Sequence, residues 1–217
     1  VNFFRVIKNR DKRQRFTEIV DALPYARTVF NELSRAWRGG SCVTNDVERA
    51  ATWFFLNRSS FSNDMNKGGF ATVSGSRNPC LSLRNAVKRL DVVADRLANV
   101  VIENLPYGEC ISRYDGADTL FLCDPPYLGA AHYYGKDCFT ESDHYKIAEL
   151  LHNIKGKVML THYKNSAYDE LYGGWQRYEY ETFKSSYGLT KSNPDEVTRP
   201  KVVEVLYCNF KPSESRQ

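Results

Sequence analysis

Apolar residues recur at helical spacing through most of the first hundred positions, then give way to short unbroken apolar runs. Phe16, Ile19, Val20 and Leu23 share one face of a predicted helix that stops at Pro24, and Val29, Phe30 and Leu33 resume the spacing toward Trp37. Gly39-Gly40 ends that second helix. Asn45 with Glu48 three residues on is a capping-box signal for a third, whose apolar stripe is Val47, Ala50, Ala51, Phe54 and Phe55 and whose end holds Asn57-Arg58. From Ser59 to Pro79 the chain turns to Ser, Asn and Gly around Phe61, Met65, Phe70 and Val73, a pattern of loops and a short hairpin. Leu83, Val87, Leu90, Val93 and Leu97 then predict a further helix.

The second half has a different rhythm. Val100-Val101-Ile102, Thr119 to Cys123 (TLFLC) and Lys157 to Thr161 (KVMLT) are apolar enough to be strands buried on both faces. Between the last two, Thr140 caps a predicted helix with Ile147, Leu150, Leu151 and Ile154 facing inward. Strand, helix, buried strand predicts a parallel α/β sheet. Two alternating runs, Trp175 to Thr182 and Val202 to Phe210, predict an antiparallel pair at its end.

Composition narrows the class. With 217 residues and 42% hydrophobic content the chain can bury a full core, and 14 Tyr leave stacking surface over for flat ligands. No apolar run approaches the roughly 20 residues of a membrane helix, and the start lacks a signal-peptide apolar segment, so a cytoplasmic protein is expected. Six scattered cysteines without a C-x-x-C pair are read as reduced thiols, with no zinc or other metal expected. The net charge of +4 says little, but its distribution says more. Arg5, Lys8, Arg10, Lys12, Arg13 and Arg15 stand against Asp11, and Arg58, Lys67, Arg77, Arg84, Lys88 and Arg89 against Asp64. Two basic stretches on an otherwise acidic chain suggest a side that faces a polyanion.

Asp124-Pro125-Pro126-Tyr127 directly follows the run TLFLC, at the carboxyl end of a predicted strand, where open α/β sheets bind ligands. The residue types suit methyl transfer to an exocyclic ring amine, a poor nucleophile because its lone pair is delocalised into the ring. A carboxylate (Asp124) and a backbone carbonyl (Pro125) accepting the two N–H hydrogens favour a tetrahedral nitrogen in the transition state. Consecutive prolines fix the direction of that carbonyl, and Tyr127 offers a ring for the base to stack on. A rigid turn after a strand is the plain alternative.

With its neighbours, this motif resembles the Dam-like (D12 class) DNA adenine-N6 methyltransferases along nearly the whole chain. VNFFRVIK is similar to the helix after the family's second cofactor motif, FFLNRSSFS to its L-N-R-x-x-F-N element, and GGFATVSGSRNP to its target-recognition hairpin. VVIENLPYGECI and LFLCDPPY resemble the segment leading to the catalytic motif and the motif itself; FTESDHYKIAELLHNIKGKVMLTHY and VVEVLYCNF resemble the elements that follow. The resemblance implies S-adenosylmethionine as cofactor and double-stranded DNA as partner, with Asp124, Pro125, Pro126 and Tyr127 holding a flipped adenine. It implies that Asn104, Leu105 and Asp124 meet the cofactor, and that Asn57, Arg58, Lys67, Arg77 and Asn78 meet DNA. For Arg58 the plain alternative is a helix-terminal cation, and for Lys67 and Arg77 solvated loop charges. A bacterial or phage-encoded cytoplasmic enzyme acting at the nucleoid would fit.

The family's F-x-G-x-G first strand and its acidic second strand have no counterpart here, and the chain starts at Val1. The expectation is therefore an α/β fold, an S-adenosylmethionine-methyltransferase (Rossmann-like) sheet, N-terminally truncated, with an inserted, mostly helical target-recognition lobe. Residues 1–15 are expected to be a remnant of the N-terminal part of the catalytic domain, 16–98 the lobe with its hairpin, and 99–217 the catalytic domain. Loss of the first strand is expected either to bare an apolar groove beside TLFLC or to change the topology, and to leave a chain that binds the cofactor poorly or not at all and shows no measurable methylation. Two other readings fit the same residues: an RNA base-amine methyltransferase, and a catalytically inactive DNA-binding fragment.

Overall fold

The computed structural model describes residues 1–41, 45–65, 68–73, 78–129, 139–183 and 200–212. They fall into two compact units, Val1–Asn104 and Leu105–Gln217.

The first unit is helical. Helices α1 (Asn2–Lys8), α2 (Arg10–Ala22), α3 (Arg27–Arg38) and α5 (Pro79–Lys88) all pack on α4 (Asp46–Ser59), and α6 (Leu90–Leu97) packs on α1. The sequence of α4 explains its central place. Val47, Ala50, Ala51, Thr52, Phe54, Phe55, Leu56 and Ser59 are buried, too many to lie on one stripe, and a helix apolar on several faces belongs inside. Asn45 caps it, its side chain accepting from the Val47 and Glu48 amides. Phe3, Phe16 and Phe54 meet with ring centroids 5.4–5.7 Å apart, tying α1 and α2 to α4. The run from Leu83 to Leu97, read as one helix, breaks at Arg89, whose ψ of 0° ends α5 before α6 begins. The expected hairpin is, over its described residues, a single antiparallel bridge between Ser60 and Phe70. Gly68 is required there, because a Cβ would run into the carbonyl oxygens of Phe61 and Asp64.

The second unit is built on four strands, β1 (Leu120–Cys123), β2 (Lys157–Tyr163), β3 (Gln176–Phe183) and β4 (Lys201–Cys208), in the order β1-β2-β4-β3. β1 and β2 are parallel, as the strand–helix–strand pattern requires, and β3 and β4 form the expected antiparallel pair. Helix α8 (Glu141–His152) makes the crossover from β1 to β2, its start closed by a reciprocal capping box between Thr140 and Asp143. Helices α7 (Tyr107–Tyr114) and α9 (Ser166–Leu171) complete the described elements. One face of the sheet, carrying Val158, Leu160, Val205 and Tyr207, is packed by Ile147, Ala148 and Leu151 of α8 and by Tyr168 and Tyr172. At the amino end of β2, the Asp115 carboxylate accepts from the Lys155 and Gly156 amides, both at 2.9 Å. From the other side Asn209 accepts from the Val158 amide at 2.7 Å and donates to the Gly156 carbonyl at 3.0 Å.

Two strand expectations need correction. Val100–Ile102 is not a strand: the segment is irregular and Val101 is 74% exposed. A run of three β-branched residues has strand propensity, but without a neighbouring ladder its backbone gains nothing from extending. Nor is β1 buried on both faces. Among the described residues it pairs only with β2, and Leu120 and Leu122 are 55% and 70% exposed.

Candidate active site

The parallel register of β1 on β2 sets the site. Cys123 lies opposite Leu160, so the next residues, Asp124 and Thr161, come side by side at the carboxyl ends of two adjacent strands. The Thr161 hydroxyl donates to Asp124 Oδ1 at 2.9 Å. Asp124 is exposed while Pro125 behind it is buried, so the turn is anchored and its carboxylate faces outward.

Tyr127 is held at both ends. Its hydroxyl donates to Glu204 Oε1 at 2.8 Å, and the hydroxyl of Tyr180 donates to the other oxygen of the same carboxylate. Its ring lies 4.8 Å from the His162 ring and meets Tyr163 edge-on at 4.5 Å. Burial, and then the hydrogen bond to Glu204, push the Tyr127 phenol well above the ordinary tyrosine range, so it serves as a neutral donor. Burial also pushes the Cys123 thiol up to about 11, which leaves it protonated and unreactive at neutral pH.

One residue further, the Leu128 amide donates to His162 Nε2 at 2.8 Å. His162 Nδ1 faces the Tyr163 carbonyl oxygen at 2.7 Å, and the imidazole stacks on Tyr168 at 3.6 Å with 17° between planes. Burial, reinforced by nearby His144, pushes this imidazole down to about 4.

The D12 class N6 adenine-specific DNA methyltransferase family model matches residues 1–186. The chain belongs to that family. Its members methylate the N6 amine of adenine in DNA, and this enzyme is accordingly an adenine-specific DNA methyltransferase with DNA as substrate; the RNA reading falls away. No curated protein sequence matches the chain.

In this methyltransferase the residues expected from sequence are distributed unevenly. Asp124, Pro125, Pro126 and Tyr127 form one continuous turn after β1. Leu105, half-buried, opens the second unit and shares it with Asp124, whereas Asn104 is the exposed last residue of the first. Of the residues expected to face DNA, Arg58 and Asn78 line one groove of about 620 Å³ in the first unit, together with Asn85, Arg89 and apolar residues such as Phe54 and Leu90. Asn78 also caps α5, accepting from the Leu81 amide at 3.2 Å, and Asn57 donates to the Asn63 carbonyl at 3.4 Å. Arg58 lies 5.8 Å above the Phe54 ring. Lys67 and Arg77 lie outside the described residues. Among the described residues no three His, Cys, Asp or Glu side chains come together as a metal site, and no helix is long and apolar enough to cross a membrane.

Thr161, His162, Tyr180 and Glu204 were missed from sequence. For Thr161 a signal existed: once TLFLC and KVMLT are taken as adjacent parallel strands, the residue ending the second lies beside the Asp that follows the first. Glu204 and Tyr180 are fixed by the antiparallel register of β3 on β4, which no local pattern reveals.

Proposed function

We propose that Asp124 and the Pro125 carbonyl are the two acceptors that prepare the adenine N6 amine for methylation, with Tyr127 as the stacking surface for a base turned out of the duplex. The observation that supports this most directly is the Thr161 bond to Asp124 Oδ1, which orients the carboxylate and leaves its other oxygen for the amine. Holding both N–H hydrogens favours tetrahedral nitrogen and directs its lone pair outward, a benefit realised only as the transition state forms. Pro125 and Pro126 restrict the backbone so that the second acceptor keeps its direction. Tyr127, fastened through Glu204, keeps its ring from swinging away from the base. Base flipping follows from the chemistry, because the N6 amine inside a duplex lies beyond reach of such a turn.

S-adenosylmethionine is the methyl donor in this reading. Its cationic groups, hydroxyl donors and flat purine call for a carboxylate and an apolar wall, and the exposed Asp124 carboxylate and half-buried Leu105 of the second unit fit them. Asn104 supplies an exposed amide next to Leu105. Bound there, the cofactor supplies a methyl group on a positively charged sulfur. Residues 16–98 are the target-recognition lobe in this reading, with Asn57, Arg58, Lys67, Arg77 and Asn78 toward DNA; the groove that brings two cations, Arg58 and Arg89, beside the amides of Asn78 and Asn85 supports it.

The decisive experiment is Asp124→Ala. Methyl incorporation into duplex DNA should fall by roughly 10²–10³-fold, as for loss of an aimed transition-state partner, while DNA affinity by anisotropy changes little. Near-normal turnover in the variant would remove Asp124 from this role.

A further inference from the structure

Adjacent residues of a strand point to opposite faces, and at the end of β2 this alternation brings two side chains to one turn from two sides. Thr161, on the open face, holds Asp124; His162, on the packed face, holds Leu128. The acceptors assigned above, Asp124 and Pro125, and the stacking residue Tyr127 all lie between these two points. We propose that His162 is a positioning residue of the methyltransferase: its imidazole accepts from the Leu128 amide and, with Thr161, clamps the Asp124–Leu128 turn in its working shape. The proposal rests on the reading of Asp124 and Pro125 as the amine's acceptors.

The geometry fixes the chemical state of the ring. Nε2 faces an N–H donor at 2.8 Å and must be a bare acceptor, while Nδ1 faces a carbonyl oxygen at 2.7 Å and must carry the hydrogen. A doubly protonated ring would set two N–H groups against each other. His162 is 1% exposed, between Tyr168 stacked at 3.6 Å and Tyr127 at 4.8 Å, with the His144 ring at 6.1 Å, so little space remains for the ring to turn over. No carboxylate stands among these ring neighbours to favour the charged form, in keeping with the depressed value of about 4. A backbone amide bound to a rigid, neutral, buried acceptor loses less order than one bound to a mobile side chain or to water, which suits a turn that must present two acceptors at fixed angles.

Three measurements on the full chain test this. Imidazole nitrogen NMR of the unaltered protein should show His162 protonated at Nδ1 and bare at Nε2 at pH 7; the opposite tautomer overturns the proposal. In His162→Phe, which keeps a flat ring against Tyr168 but has no acceptor, hydrogen exchange at the Leu128 amide should speed by about tenfold, the size expected for losing one hydrogen bond, while the amides of β4 stay protected. His162→Gln, which returns an acceptor near the Nε2 position, should restore much of the slow exchange. In the same pair, kcat should fall about tenfold for Phe and recover partly for Gln, with KM for DNA unmoved. Unchanged Leu128 exchange in a folded His162→Phe protein overturns the clamp, and if that variant does not fold, the tautomer decides. The outcomes separate cleanly from the preceding one: normal turnover in Asp124→Ala removes the assigned acceptor and leaves the exchange result standing, whereas unchanged exchange removes the clamp and leaves Asp124 in place.

Discussion

The two faces of the four-stranded sheet are made by alternate residues of the same strands, yet they do different work. On one face Val158, Leu160, His162, Val205 and Tyr207 are all at most 1% exposed beneath α8, Tyr168 and Tyr172. On the other, Leu120, Leu122, Tyr178 and Tyr180 are 44–70% exposed, and Thr161, Tyr163 and Glu204 are half-buried. The first face holds the unit together. The second carries the polar groups that fasten Asp124 and Tyr127, and under the proposed assignment it must stay open to receive a base and a cofactor. Stability and chemistry are thus kept one residue apart along each strand.

The sharpest way to break this division is on the packed face. Tyr168→Ala removes a fully buried ring that stacks on His162, and it should cost about 3–5 kcal/mol, read as a lower urea midpoint with little change in slope. A loss below about 1 kcal/mol would mean that the packed face is not where the unit's stability resides.

The next largest effect comes from pH. His162 in the folded protein stands near 4, below the ordinary 6.5, so between these values the unfolded chain takes up a proton that the folded protein refuses. Its contribution is fully present above about pH 6.5 and is lost as pH falls toward 4, by up to about 3 kcal/mol at 1.36 kcal/mol per unit. Buried His144, also depressed, acts in the same direction. Urea midpoints should fall between pH 7 and pH 5, and a flat profile would contradict the burial of both rings.

How far these features were legible in the sequence depended on how local their causes are. The α4 stripe and its Asn45 cap, the Thr140 cap, the alternation within each of the last two strands and the place of Asp124 after a strand all follow from residues within a few positions of one another. The failures were non-local. Val100–Ile102 has the composition of a strand but pairs with no strand among the described residues, and composition cannot report whether a neighbour is at hand. TLFLC reads as buried on both sides because its residues are apolar, whereas its burial is decided by what lies beside and above it. A single histidine near a strand's end carries no local signal, since the place of His162 is set by the turn after a different strand, 34 residues earlier.

The smallest effect sharpens the same comparison from the open face. Leu122→Thr changes a large apolar side chain on a central-looking strand, yet at 70% exposure it should shift stability by less than about 0.5 kcal/mol. A loss as large as that of Tyr168→Ala would show that the open face bears load in the folded chain.

The side chains at the amino end of β2 bear on how this enzyme can change over time. Asp115 and Asn209 index the entry of β2 to the segment before β1 and to the end of β4 by bonds to backbone atoms, at the end of the strands away from Asp124. Because alignment of the strands is set there, the turn at the other end is free of that duty. Substitutions near Asp124 therefore need not slide one strand past another, and the sheet tolerates change at one end because its alignment is held at the other.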